Sequence, residues 1–252
     1  MSRTPEPELD RTLAAFDRVL FEASPSEADL ASLDRASEHA QGERFLLYRD
    51  LVRSRLKDLV ATALPRTTAL LGRAAIDREV DARLSSAPPT TRFFREVVEQ
   101  LFDPREPRLS HPEHPELGDL ARLELAQWRA IWLEVAEPAA VDFDFAKRPV
   151  LTATMTRLEL AFSVHLADRP VSQGNFHIAV YRRRDHVVET RWMNEELAAI
   201  LDAWREGSEP AIEGVRTAMS RLGRAPTPEL VESMSGMLAE LLERGGVLGS
   251  RP

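Results

Sequence analysis

Two polar clusters carry side chains that could bind a metal ion. The segment 111–116 contains two histidines and two glutamates, all common metal ligands. Its two prolines prevent the regular helix that would hold both imidazole rings on one face. Asp142 and Asp144 lie on one side of an extended segment, but so short a pattern is weakly specific. We interpret both clusters as solvated segments and predict no metal and no cofactor in this chain.

The motifs of other enzyme classes are missing from the sequence. The chain has no cysteine, which excludes disulfides, iron–sulfur clusters and thiolate nucleophiles. No serine stands in a G-x-S-x-G elbow, and the eleven glycines are scattered rather than grouped into a phosphate-binding loop. We therefore predict that the chain is not an enzyme.

Arg182, Arg183 and Arg184 form the one compact basic feature, at the tip of a predicted β-hairpin. Such a tip could contact the DNA backbone as a wing, contact an acidic partner, or be a solvated turn. The chain carries 33 basic and 41 acidic residues, and neither half is basic. Because duplex DNA is bound mainly through its phosphates, this balance argues against a strong nucleic-acid binder.

Glu124 interrupts an otherwise apolar stripe on a predicted helix over 116–136. A carboxylate in that position must be paired or lie at an interface. Arg49 and Arg53, on another long helix, are natural partners. The two interpretations are an ion pair inside a helical domain and a contact with a partner protein.

The elements that position these residues change in character along the chain. The first half shows apolar residues at spacings of three and four, typical of amphipathic helices, interrupted by a proline cluster between residues 88 and 115. The second half shows alternating patterns at 157–164, 176–181 and 187–193, of which the last two predict a hairpin. Three helices, over 194–206, 210–222 and 227–244, follow.

This order predicts a mainly α protein. We expect a helical domain over 1–140, then a small α+β, winged-helix-like domain with a β-hairpin over 141–252. The N-terminus is too polar for a signal peptide and no run of residues is apolar enough to span a membrane. We therefore expect no membrane partner and a cytoplasmic location.

Several segments together resemble a bacterial protein family labelled as a DNA-binding domain. They cover most of residues 40–250: Tyr48-Arg49-Asp50-Leu51-Val52-Arg53, Ala63-Leu64-Pro65, Leu70-Leu71-Gly72, the helix Gly118-Asp119-Leu120-Ala121-Arg122-Leu123-Glu124, and Glu195-Glu196-Leu197 after the hairpin. The chain departs from the family pattern where Asp50, Leu64 and Leu125 replace the usual Asn, Phe and Trp, and where Ala87-Pro88-Pro89-Thr90 replaces the usual proline-serine segment.

The resemblance implies an accessory role. Members of this family are encoded beside multinuclear non-haem iron oxidases that modify ribosomally made precursor peptides, as in methanobactin-type and bufferin-type pathways. The iron belongs to the oxidase, and the accessory chain pairs with it as a heterodimer and helps to engage the leader region of the precursor. The alternative is a transcriptional regulator that contacts DNA through Arg182, Arg183 and Arg184.

We assign the residues of these functions as follows. The expected contacts with the oxidase are Tyr48, Arg49, Arg53 and Glu124. A hairpin offers strand edges to which an extended peptide can add. The expected contacts with the peptide are Phe176, Ile178, Val180, Tyr181, Val188 and Trp192.

Overall fold

The computed structural model describes residues 7–36, 42–91, 93–103, 105, 107–225 and 227–251, and the chain divides into two compact units, 1–111 and 112–252. The described part of the first unit contains six helices: α1 (Pro7–Phe21), α2 (Glu27–Ala36), α3 (Gly42–Ala63), α4 (Pro65–Leu71), α5 (Arg73–Ser86) and α6 (Phe94–Leu101). The second contains α7 (Leu117–Trp132), β1 (Pro149–Leu151), β2 (Thr156–Phe162), β3 (Gln173–Arg182), β4 (Val188–Met193), α8 (Glu195–Glu206), α9 (Ala211–Leu222), α10 (Pro228–Glu243) and β5 (Val247–Ser250). The predicted fold class, mainly α with a small α+β part, is confirmed.

In the first unit the long helix α3 packs against α1, α2, α5 and α6. Its inward stripe includes Leu56 and Val60, which are almost completely buried. Pro65 begins α4 because a proline in the first turn loses no helical hydrogen bond. Gly72 has a φ of 81°, which lets the chain turn sharply between α4 and α5.

The second unit is built in three layers around an antiparallel sheet of order β2-β3-β4. Side chains alternate across β3, so Ile178 and Val180 face α7 while Ala179 and Tyr181 face the core formed with α8, α9 and α10. A helix therefore covers each face of the sheet, and the strands have buried side chains on both sides.

The boundary between the units precedes α7, whereas the sequence placed it after that helix, at 140/141. Helix α7 packs on β2 and β3 and supplies one wall of the sheet's core, through residues such as Leu120 and Leu123. Its apolar stripe looked like part of a helical domain because a sequence does not show which surface a stripe covers.

The segment predicted as a linker, 138–149, is hydrogen-bonded to the rest of the second unit. Val141 pairs with Ser250, and the carbonyls of Phe145 and Lys147 accept from the first residues of α9. Strands β1 and β5, which the sequence patterns missed, form a separate two-stranded sheet. The φ of Gly249 is 136°, and a Cβ at this residue would lie 2.0 Å from the carbonyl oxygen of Val141, so only glycine permits this close approach.

Candidate functional site

Strand β4 forms one edge of the three-stranded sheet, since in the described chain it pairs with β3 alone. The amide of Arg183 donates to the carbonyl of Val187 at 2.9 Å, so the backbone groups of Val187 point towards β3. By the alternation of antiparallel pairs, Val188, Thr190 and Trp192 then turn their N–H and C=O groups outward. These groups form a row to which an extended peptide can add.

Strand β2, at the opposite edge, is closed by side chains of α7. Asp119 accepts from the amides of Ala161 and Phe162 at 2.6 and 3.0 Å, and Arg122 donates to the carbonyl of Glu159 at 2.8 Å. Because these outward backbone groups already have partners, strand addition at this edge would have to displace two charged side chains. The sheet therefore has one edge suited to strand addition, at β4.

Three of the predicted peptide contacts belong to the core. Ile178, Val180 and Tyr181 are completely buried in β3, which is the central strand and has a partner on each side. They cannot receive an added strand, and a peptide cannot reach their side chains. The sequence identified the hairpin, but it did not show that β2 occupies the free side of β3.

The side chain of Tyr181 is completely buried in this core. Its hydroxyl is buried and, among the described residues, has no hydrogen-bond partner. Burial, with a further contribution from the carboxylate of Glu189, raises the pKa of Tyr181 to about 12.

The other three predicted peptide contacts lie nearer the surface. Phe176 and Val188 are half-buried at the margin of the α7-side core, and the ring of Phe176 lies beside that of His165, with centres 5.2 Å apart and planes tilted by 54°. The side chain of Trp192, on the edge strand β4, is 51% exposed. Val188 and Trp192 thus place apolar side chains directly on the β4 edge.

The three arginines at the hairpin do not form a free basic patch. Arg182 donates to the carbonyls of Ile131 and Leu133 at 2.8 and 3.0 Å. It thereby gives hydrogen-bond partners to carbonyls that the C-terminal end of α7 leaves unpaired. Arg183 pairs with Asp185 at 2.8 Å. For Arg184 alone of the three, the described residues supply neither a hydrogen bond nor an ion pair.

In the first unit, Arg53 is buried and joins α3 to neighbouring helices. It is 7% exposed, donates to Asp81 at 2.8 Å and also reaches the carbonyls at the end of α1. Arg49 donates to the carbonyls of Glu22 and Ala23, at the same helix end. We expected both arginines to contact the oxidase, but their guanidinium groups hold α3 against the end of α1.

Tyr48, in contrast, lies on an exposed apolar face. It is 50% exposed and stacks on Phe16 of α1, with ring centres 5.8 Å apart. Leu47 and Leu51, beside it on α3, are 65% and 69% exposed. We call Leu47, Tyr48 and Leu51 the α3 apolar face. Such a contiguous group is typical of a protein-binding surface.

Glu124 is 3% exposed within α7. A carboxylate so deeply buried is not a surface contact for a partner protein, which corrects that assignment. Its predicted ion pair with Arg49 or Arg53 stays a prediction.

An apolar groove between α8, α9 and α10 was not anticipated from the sequence. It encloses about 590 Å³, and its walls include Trp204, Ile212, Met219, Val231, Met234 and Leu238. The indole of Trp204 donates to the carbonyl of Ala211 at 2.9 Å. Gly214 allows α9 to lie against that ring, since a Cβ there would fall 2.3 Å from its Cδ1 atom. The apolar spacing of each helix was visible in the sequence, but the uncovered part of each stripe was not.

In the segment containing His111 and His114, the ring of His114 lies 3.3 Å from the carboxylate of Glu116. Within the described ranges, no three His, Asp or Glu side chains are grouped to hold a metal ion. Among the helices of the described residues, none has the length and apolar character needed to cross a bilayer.

No protein-family model matches the chain, and no curated protein matches it.

Proposed function

We propose that this chain is a non-catalytic accessory subunit that pairs with a multinuclear non-haem iron oxidase and helps to engage the leader region of a ribosomally made precursor peptide. The family resemblance of the sequence suggests the oxidase and the precursor. The observation that carries the proposal is the open β4 edge, which suits an extended peptide. In this proposal the iron resides in the oxidase and the accessory chain acts in the cytoplasm, in keeping with its lack of cysteine.

The α3 apolar face supports the pairing with a protein. Its three large side chains are at least half exposed, and contiguous exposed apolar surface marks sites of protein interaction. Of the four residues expected to contact the oxidase, Tyr48 is the most exposed. We place the oxidase contact at this face, with Leu47 and Leu51 beside Tyr48.

The leader peptide is placed at the β4 edge. Backbone hydrogen bonds to Val188, Thr190 and Trp192 would supply affinity, and the exposed indole of Trp192 would contact an apolar side chain of the peptide. A DNA-binding role gains no support from the hairpin, since Arg182 and Arg183 are occupied within the unit.

The pairing is tested by co-expression with the oxidase-like protein encoded nearest to the gene. We expect a stable one-to-one complex in a pull-down, with iron in the partner. Leu51→Asp is expected to abolish it, whereas Leu70→Asp, at an exposed leucine outside the face, is expected to leave it intact. If both variants keep the complex, or if the free chain binds DNA tightly and in a salt-sensitive way, this function is refuted.

Peptide capture is tested at Thr190. Proline there removes an outward-facing N–H while leaving the ladder to β3, and edge strands tolerate this substitution. Thr190 also accepts a hydrogen bond from Gln127 at 3.0 Å, so Thr190→Val is the matched control that loses the hydroxyl and keeps the N–H. We expect Thr190→Pro to weaken leader-peptide binding by at least about tenfold, and Thr190→Val to change it little. Equal affinity for the two variants would exclude strand addition at β4.

A further inference from the structure

The groove between α8, α9 and α10 has the features of a second docking site, separate from the β4 edge and independent of the proposed function. We infer that it receives an amphipathic helix of a protein partner, one with apolar residues on one face and lysine or arginine beside them. The inference rests on the shape and composition of the groove and on the distribution of charge around it.

The walls of the groove suit apolar side chains presented by a helix. Most of them are apolar: Phe145 and Trp204 are aromatic and the other apolar ones are aliphatic or methionine side chains, and methionine adapts readily to the shape of a partner. The polar lining residues are Ser220, Ser235, Arg216 and Arg224. Helix α10 is only lightly packed, with Leu241 its one almost fully buried side chain in the described structure. Val231 is 47% exposed and Met234 and Leu238 are half-buried. Apolar surface in a groove of this kind is the pattern of helix-in-groove recognition.

The charge around the groove is strongly acidic. Residues 195–243, which form the three helices and their connections, contain ten acidic and four basic residues and so carry a net charge of −6. Two of the acidic groups, Asp202 and Glu240, pair with Arg157 and Arg191 from outside this segment, which leaves −4. The acidic groups of α10 include Glu229, Glu232 and Glu243, which are exposed and without an ion pair among the described residues. A cationic partner would be attracted to this surface.

The arginines at the groove do not reverse this sign. Arg216 forms an ion pair with Glu213, and Arg224 forms ion pairs with both Glu195 and Glu196. An anionic amphiphile would have to displace these carboxylates to reach a guanidinium group. A second copy of this chain would bring two equally acidic surfaces together, which like-charge repulsion opposes. A cationic amphipathic helix meets both the apolar walls and the acidic surroundings.

The test uses the full chain and fluorescence anisotropy of three labelled synthetic peptides. The first is a helix of about 15 residues with leucine or phenylalanine at i, i+3, i+4 and i+7 and lysine at the flanking positions. The second carries glutamate in place of each lysine. The third has the composition of the first in scrambled order. We expect the first to bind, and the other two to bind at least about tenfold more weakly.

Two matched substitutions locate the binding. Val231→Asn places an uncharged polar group in the groove, and Val171→Asn does the same at a valine of similar exposure, 43%, outside it. We expect the first to weaken the lysine peptide by about tenfold and the second to leave its affinity unchanged. Circular dichroism of both variants verifies that they are folded.

Several results would overturn the inference. These are absence of binding, equal binding of the lysine and scrambled peptides, equal or tighter binding of the glutamate peptide, and equal affinity of the two variants. Sedimentation of the free chain provides a further test, because a dimer that Val231→Asn dissociates would identify a second copy as the occupant. None of these outcomes depends on the oxidase or on the β4 edge.

Discussion

Replacing Gly214 by alanine tests the packing that builds the groove. The added methyl group would lie 2.3 Å from Cδ1 and 2.7 Å from Nε1 of Trp204, whose side chain is 4% exposed. These distances are too short for any real contact, so the indole must move. Its movement also threatens the hydrogen bond from Nε1 to the carbonyl of Ala211.

The magnitude follows from three contributions. Overpacking in a dense core costs about 1–3 kcal/mol. Loss of the indole hydrogen bond costs about 1 kcal/mol. Alanine stabilises a helix by about 1 kcal/mol relative to glycine, which offsets part of this cost. We therefore expect Gly214→Ala to lower the free energy of unfolding of the second unit by about 1–3 kcal/mol.

The same substitution at Gly236 is the control. Gly236 lies in α10, and a Cβ there would meet nothing within 4 Å. Without a clash only the helix propensity changes, so Gly236→Ala should stabilise the unit by about 0.5–1 kcal/mol. One chemical change thus has opposite signs at two helical glycines.

Urea unfolding followed by tryptophan fluorescence measures both variants. All four tryptophans lie after residue 112, so this signal reports the second unit selectively. If Gly214→Ala is as stable as the unchanged protein, or gains as much as Gly236→Ala, then α9 does not lie against Trp204 and the groove is not built as described.

Three further substitutions test other contacts. Arg53→Ala should destabilise the first unit by about 1–3 kcal/mol, because the carbonyls at the end of α1 lose a buried donor while Asp81 keeps its ion pair with Lys57, and thermal unfolding by circular dichroism measures this. Asp119→Ala should cost about 1–3 kcal/mol in urea unfolding, because two amides at the β2 edge lose their acceptor; an unchanged midpoint would show that this edge is not closed. Tyr181→Phe should be neutral or stabilising near neutral pH, since the hydroxyl has no partner in the described structure. Because the folded state raises the pKa of Tyr181, its contribution is complete below about pH 10 and is lost as the pH rises towards about 12, and Tyr181→Phe should remove that alkaline loss of stability. With Tyr48→Phe, Tyr181 is the only tyrosine left, so ultraviolet absorbance can follow its ionisation directly.

The sequence determined the helices and the hairpin because their signals are local. Apolar residues at spacings of three and four predicted the helices of the first half, and the alternation at 176–181 and 187–193 predicted β3 and β4. Composition was equally informative, since the absence of cysteine excluded whole classes of chemistry without reference to any fold.

Tertiary structure decided which of these surfaces is available. Strands β1 and β5 escaped the sequence patterns because they are short and pair across about a hundred residues, from Pro149 to Ser250. The open edge is β4 because β2 adds to the far side of β3, and that choice converted three expected peptide contacts into core residues. The three adjacent arginines looked like one basic patch, but folding brought Arg182 to the end of α7. An apolar stripe or a charged run specifies what a surface can do, whereas only the packing of distant segments decides whether that surface is covered.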